Sequence, residues 1–352
     1  MNITHIIFSL QIGGAENIMI DIINKQISLE HTLNLIIINN EINHDILKTI
    51  DKRVNIVFIN RPENNKNPFY ILKLYFEILK LKTDIIHSHS LPIGKILSLL
   101  KIKKVLTVHD TGKANYLLNY YDLVFAISKA VKKDIDSDTD INSVIVYNGI
   151  EVDSILSKQI NKSNNINKVY KIVQISRLRH HKKGQDLLIN ALNLIKMKNP
   201  EIHIQCDFIG EGPSSDYLLN LVRELSLEDR VNFLGAKSRG DIYNNLFEYD
   251  LLVQPSRFEG FGLTVIEAMI ANIPVLVSNI EGPLELINND EFGYSFESEN
   301  IDDLANKILN IKENKNLNKI DNAYNYAKSS FDITNTSIMY LNYYNKILEV
   351  EK

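Results

Sequence analysis

Short apolar runs that alternate with amphipathic segments govern what this chain can fold into. Ile3 to Ser9, Leu33 to Ile38, Val54 to Ile59, Ile85 to His87, Val105 to Val108, Leu123 to Ile127 and Val144 to Val146 have strand length. Segments such as Ala15 to Gln26, between them, have helical spacing. Strand, helix, strand in that order builds a parallel sheet covered by helices. Ser157 to Lys168 is rich in Asn, Lys and Ser, lacks apolar periodicity and reads as a linker, after which the pattern restarts at Val169 to Ile175. The expectation is an α/β chain of two Rossmann-like doubly wound domains facing across a cleft, the default place for a ligand.

Within the second half, Gln254 to Met269 passes from an apolar strand, Leu251 to Val253, through Pro255 and a loop with Gly260 and Gly262 into a helix from about Leu263. Glu259 then sits at a strand's carboxyl end and Glu267 in the early turns of the helix. Carboxylates there suit ligand hydroxyls, while the amides of Phe261, Gly262 and Leu263 face an anion. Upstream, the run from Gln174 to Asp186 is strand, basic loop, glycine and helix, which makes a diphosphate clamp. Arginine grips oxygens bidentately and lysine acts as a mobile point charge. Arg177 and Lys183 are the candidates, and Lys182 stays open as the working lysine.

Other glycine pairs follow strands. Gly13 and Gly14 stand at the entrance of the first helix, where backbone approaches a ligand closely. Gly210 and Gly212 follow Phe208 and Ile209. Neither pair completes the three-glycine dinucleotide fingerprint. His87, His89 and His109 end strands, a position more often structural than catalytic. No Asp/His cluster has convincing metal-ligand spacing, so neither a metal nor any cofactor is expected.

A net charge of -4 argues against nucleic acid as a partner. One cysteine, Cys206, fits a reducing compartment. The amino terminus lacks the basic region of a signal peptide, and no apolar stretch approaches a membrane span, so a cytoplasmic location is expected. From Lys66 to Lys104 eight lysines face two acids, a local excess of six positive charges. Phe69 to Lys82 and Ile93 to Lys104 mix these lysines with apolar residues. Three readings stand: contact with the inner face of an anionic membrane, contact with a phosphate-bearing acceptor, or helices that cover the sheet and leave lysines in water.

The spacing from Glu259 to Glu267 with Gly-Phe-Gly between resembles the donor-site signature of family 4 retaining glycosyltransferases, the glycogen-synthase-like kind with the GT-B fold. Gly13-Gly14-Ala15-Glu16, Thr107-Val108-His109, Asn148-Gly149, Arg177 with Lys183 and the Gly210/Gly212 segment match further family positions in order, although Ser176 stands where the family usually has glycine.

The resemblance implies that Glu259 and His109 contact the donor sugar, Glu267 the ribose, and Arg177 with Lys183 the diphosphate. It also implies that Gly210 and Gly212 lie near the nucleobase. It further implies an acceptor-side domain over residues 1–160, rejoined by a crossover helix over about 329–352, and a donor-binding domain over 161–328. The tail helix is expected to present Met339, Leu341, Tyr344, Ile347 and Leu348. The implied partners are a nucleotide sugar, UDP-linked by preference, and a glycan or lipid-linked glycan of surface polysaccharide or lipopolysaccharide. A sugar-nucleotide epimerase of the same fold and a non-catalytic sugar-nucleotide-binding protein remain the rivals.

Overall fold

The apolar runs become parallel strands in a computed structural model that describes residues 1–11, 13–112, 115–138, 141, 143–158 and 169–349. The first sheet consists of β1 (Asn2–Ile7), β2 (Thr32–Asn39), β3 (Asn55–Arg61), β4 (Ile85–Ser88), β5 (Lys103–Val108), β6 (Leu123–Ala126) and β7 (Ser143–Ile145). The second consists of β8 (Tyr170–Ile175), β9 (Ile204–Ile209), β10 (Val231–Phe233), β11 (Leu251–Gln254), β12 (Val275–Ser278) and β13 (Tyr294–Phe296). Their orders are β3-β2-β1-β4-β5-β6-β7 and β10-β9-β8-β11-β12-β13. Both reverse direction beside their first strand, the doubly wound arrangement of the Rossmann type, and the switch points fall between β1 and β4 and between β8 and β11.

The chain divides into two compact units, Met1–Ile150 with Phe331–Lys352, and Glu151–Ser330. The tail returns to the first unit because Ile150 N–H donates to Phe331 O at 2.8 Å and Ile333 N–H donates to Ile150 O at 3.0 Å. Gly149 permits this approach, since a Cβ there would lie 2.7 Å from the Ile333 backbone. The division falls after Ile150, ahead of residue 160. Leu156 N–H bonds Tyr243 O, and the Lys158 ammonium pairs with Asp250 at 2.8 Å, so this stretch is tied to the second unit. Most of the expected linker, 159–168, lies outside the described residues.

Two expectations need correction. The segment from Ile93 to Lys104 is helical only over Ile93–Ile96; Lys103 and Lys104 open β5, where they pair with Ile85 and Ile86 of β4. In the tail helix, Ile333–Glu349, the buried face carries Tyr340, Leu341 and Tyr344, whereas Met339 is exposed. The helix Phe69–Leu81 buries Leu74 and Ile78 yet exposes Phe69, Leu72, Phe76 and Leu79. Among the described residues no helix is long and apolar enough to cross a membrane.

In the second unit, Leu188, Leu192 and Ile195 of the helix Gln185–Lys198 share one core with Leu304 and Ile308 of the helix Ile301–Glu313. Each such side chain contributes about 2 kcal/mol by burial. That packing fixes the sheet whose carboxyl edge carries the loops described next.

Candidate active site

At the switch point of the second sheet, β8 runs into a loop that starts at Ser176 and closes with a single helical turn, His180–Lys183, before Gly184, and β11 runs into a loop from Pro255 to Gly262. Glycine lets them touch. Gly184 has φ +66° and a Cβ there would lie 1.9 Å from Pro255 O. Gly282 lies against the second loop from the other side, where a Cβ would meet Glu259 O at 2.4 Å. Gly210 and Gly212 press on the first loop: their Cβ atoms would fall 2.1 Å from Ser176 O and 2.3 Å from Leu178 O. These two glycines thus hold the backbone that presents Arg177.

Lys183 and Glu259 meet across the two loops, Nζ to Oε2 at 2.5 Å, with side chains only 19% and 13% exposed. The same carboxylate oxygen accepts from Gln254 Nε2 at 2.7 Å and from Ser256 Oγ at 3.3 Å. Thr264, on the following helix, donates to Gln254 Oε1 at 3.1 Å and so turns the amide's N–H toward Glu259. A half-buried carboxylate needs such donors, because desolvation without them costs several kcal/mol. Gln174 donates to Lys183 O at 2.8 Å, and Gln185 donates to Ser176 Oγ at 2.9 Å and Arg177 O at 3.1 Å. Arg177 itself is exposed.

Arg257 ties the loops together. Its guanidinium grips Asp186 through both terminal nitrogens at 2.8 and 2.9 Å, and donates to His180 O at 2.7 Å and Glu299 at 2.7 Å. The Arg257 amide also donates to Lys182 O at 2.9 Å. Planar bidentate pairing of this kind fixes geometry as well as charge, and it raises the guanidinium's pKa above its usual value, with the Asp186 hydrogen bond as the largest cause.

Gly262, at φ +110°, stands before the helix Leu263–Ile270, whose start no side chain caps. Phe261 is buried and Gly260 is buried beside it. Glu267, one turn into that helix, accepts from Tyr243 OH at 3.3 Å, and Arg239 donates to the same hydroxyl at 2.7 Å.

His109, Gly13 and Gly14 belong to the first unit. Gly13 precedes the helix Gly14–Ser28 with the Glu16 side chain folded back against it, and burial raises the Glu16 pKa. Ile12 lies outside the described residues. His109 follows β5, and its Nε2 lies 3.3 Å from His89 Nδ1.

Sequence reasoning therefore found Glu259 and Lys183, which the structure brings together, and missed their supports Gln254, Ser256, Arg257, Asp186 and Tyr243. The legible signal was polarity out of place. Gln254 and Ser256 are wholly buried at the end of an apolar strand, where a polar side chain has to have a partner.

Comparison with known proteins bears on the same regions. The model described as "Glycosyltransferase Family 4" matches residues 12–154, and the one described as "Glycosyl transferases group 1" matches 157–330. The O-antigen biosynthesis glycosyltransferase WclY of Escherichia coli is 25% identical over 99% of this chain and 99% of its own. A Campylobacter jejuni enzyme, N-acetylgalactosamine-N,N'-diacetylbacillosaminyl-diphospho-undecaprenol 4-alpha-N-acetylgalactosaminyltransferase, is 25% identical over 89% of this chain and 90% of its own. Anabaena HepE, solved with UDP-glucose, superposes with a TM-score of 0.78 at 22% identity over 99% of both chains.

Proposed function

This chain belongs to the family 4, group 1 glycosyltransferases, and we propose that it is a retaining, metal-independent member. Its donor is a nucleotide sugar, a UDP-sugar by preference, carrying a hexose or N-acetylhexosamine. Its acceptor is a glycan or lipid-linked glycan of surface-polysaccharide or lipopolysaccharide synthesis. The donor preference draws on the UDP-glucose complex of HepE, and the acceptor class on WclY and the undecaprenol-linked substrate named for the Campylobacter enzyme.

The observation that carries the reading is the Lys183–Glu259 pair with Gln254 behind it. A sugar leaving a diphosphate develops positive charge at its anomeric carbon while the leaving group gains negative charge. Lys183 and the exposed Arg177 supply cations for the diphosphate, and the amides at the start of the helix Leu263–Ile270 add their dipole. When phosphate oxygens take the Lys183 ammonium, Gln254 and Ser256 still hold the Glu259 carboxylate, which then faces the sugar hydroxyls. Glu267 holds the ribose and the His109 imidazole serves the sugar. The bond from the anomeric carbon to the phosphate oxygen breaks with its electrons going to the diphosphate. The acceptor oxygen bonds to the same carbon from the same face and passes its proton to the departing phosphate.

The helix Phe69–Leu81 supports a place at the inner face of a membrane for this cytoplasmic enzyme. Phe69, Leu72, Phe76 and Leu79 recur at helical spacing on its exposed side, with Lys66, Lys80 and Lys82 nearby in the chain. Apolar side chains bordered by lysines fit an anionic lipid interface. The direct experiment is proton NMR of transfer from α-linked UDP-sugars in the presence of chelator. An α-linked product supports retention without metal, whereas a β-linked product or abolition by chelator refutes it.

A further inference from the structure

Two buried amides and one hydroxyl stand behind the two cations that the site offers a diphosphate, and all of them lie in the second unit. Gln174 is the next-to-last residue of β8, and Gln185 opens the helix Gln185–Lys198. Both are wholly buried. Gln174 Nε2 donates to Lys183 O at 2.8 Å and to Ser176 Oγ at 3.4 Å. Gln185 Nε2 donates to Ser176 Oγ at 2.9 Å and to Arg177 O at 3.1 Å. Each amide therefore uses its two hydrogens in the same way, one on a backbone carbonyl and one on the shared serine oxygen, which has a lone pair for each.

That arrangement fixes the orientation of both amides. Turning either one over would set its oxygen against a carbonyl oxygen and lose the bond. As they stand, Gln174 Oε1 and Gln185 Oε1 are buried and meet no donor among the described residues, so what keeps these side chains in place is the bonding of their N–H groups. The carbonyls they hold belong to the two cationic residues. Lys183 closes the single helical turn His180–Lys183, where carbonyls have no following turn to bond them. The Arg177 carbonyl lies in the loop, where it also accepts Arg179 N–H at 2.8 Å. Fixing a carbonyl fixes its peptide plane, and with it the direction in which the adjoining side chain leaves the backbone.

We propose that Gln174, Gln185 and Ser176 are positioning residues for the donor diphosphate: through the carbonyls of Lys183 and Arg177 they set the stems from which both cations reach the phosphate oxygens. The inference rests on the reading of Arg177 and Lys183 as the cations that take the diphosphate. Arg177 is exposed, so its guanidinium has freedom to lose on binding, and a fixed stem lowers that loss. Ser176 is the common acceptor. Glycine at this place would leave one N–H of each buried amide unbonded, so the serine and the two glutamines form one set.

The test is a double-mutant cycle on the full chain, read as the Kd for UDP by titration calorimetry with chelator present, with Tm measured alongside. GDP or ADP takes the place of UDP if the wild type binds one of those instead. Gln185→Met replaces the amide by an apolar side chain of similar length. It is expected to weaken binding about tenfold in the wild-type background and less than about twofold in an Arg177→Ala background, because it acts through Arg177. Gln174→Met is expected to behave likewise against Lys183→Ala. A merely structural amide would lower Tm and leave Kd unmoved, or weaken binding equally in both backgrounds, and either result overturns the proposal. Should Gln185→Met fail to fold, Ser176→Ala, a smaller change that removes the acceptor of both amides, runs the same cycle against Arg177→Ala, and equal weakening in both backgrounds overturns the proposal there too. A wild type that binds no nucleoside diphosphate refutes the proposed function and the positioning role with it, whereas binding without coupling refutes the positioning role alone.

Discussion

Replacing Gly184 by alanine tests whether the two loops of the second unit must touch for the site to exist. The residue has φ +66°, and its new Cβ would fall 1.9 Å from Pro255 O and 2.8 Å from the Pro255 carbonyl carbon. The left-handed backbone costs about 1–2 kcal/mol for any residue with a Cβ, offset in part by the lower entropy of the unfolded chain. The clash is with backbone rather than a flexible side chain, so a loop has to move, at a further cost of about 1–3 kcal/mol. A total near 3 kcal/mol lowers Tm by roughly 6–12 °C in a unit of this size. Moving the loop also separates Lys183 from Glu259, so nucleotide affinity should fall together with stability. Gly112→Ala is the control, because Gly112 has φ +72° but nothing within 4 Å of its Cβ. It should show the conformational cost alone. Differential scanning calorimetry with and without UDP measures both effects. A Gly184→Ala protein that matches Gly112→Ala in Tm and keeps its UDP response would refute the reasoning.

Four further outcomes are expected. Glu259→Gln should keep the fold, since Gln254 and Ser256 still have an oxygen to donate to, while kcat for sugar transfer falls on the order of 100-fold; near-normal turnover would remove Glu259 from the chemistry. Arg257→Lys keeps a positive charge but loses the bidentate grip on Asp186, so stability should drop by about 1–3 kcal/mol in urea melts and donor KM should rise; unchanged values for both would show that the loop tie is dispensable. Because the His5 pKa is depressed in the folded state from 6.5 to about 4, the unfolded state binds the extra proton. Stability is therefore full above pH 6.5 and falls as pH drops toward 4, by roughly 3 kcal/mol from His5 alone; a flat unfolding free energy between pH 6.5 and 4.5 would contradict this. Leu72→Asp and Phe76→Asp should each weaken co-sedimentation with anionic phospholipid vesicles on the order of tenfold without altering Tm; equal binding by wild type and variants would remove this face as the lipid contact.

The parallel strands were legible because each is a short, nearly continuous apolar run, and buried parallel strands read that way. β13 escaped notice: Tyr294–Phe296 is three residues long and has no apolar run around it. The region from Ile93 to Lys104 misled because Ile96, Leu97, Leu100 and Ile102 suit helical spacing. The pairing of Lys103 with β4 decides the matter, and that is a long-range contact which local periodicity does not encode. Met339 was placed on the wrong face of the tail helix because an exposed methionine and a buried tyrosine reverse the usual preference. Tyr340 and Tyr344 are buried there because their hydroxyls reach Thr107 and His87. Glu259 and Lys183 could be named from local pattern, but their pairing joins positions 76 apart in the chain and depends on Gly184 and Arg257. His87 and His89 are near neighbours in sequence, whereas the approach of His89 to His109 at 3.3 Å and to His5 at 3.1 Å joins separate strands and is not encoded in local pattern.

The most direct test of the account is a thermal-shift panel of UDP, GDP and ADP with chelator present, on wild type and on the Arg177→Ala/Lys183→Ala double variant. A ligand that binds only the folded state at 100 times its Kd adds about 2.7 kcal/mol. The account predicts that UDP raises the wild-type Tm by several degrees without metal and leaves the double variant unmoved. A wild type indifferent to every nucleotide, or a double variant that responds as wild type does, would contradict it.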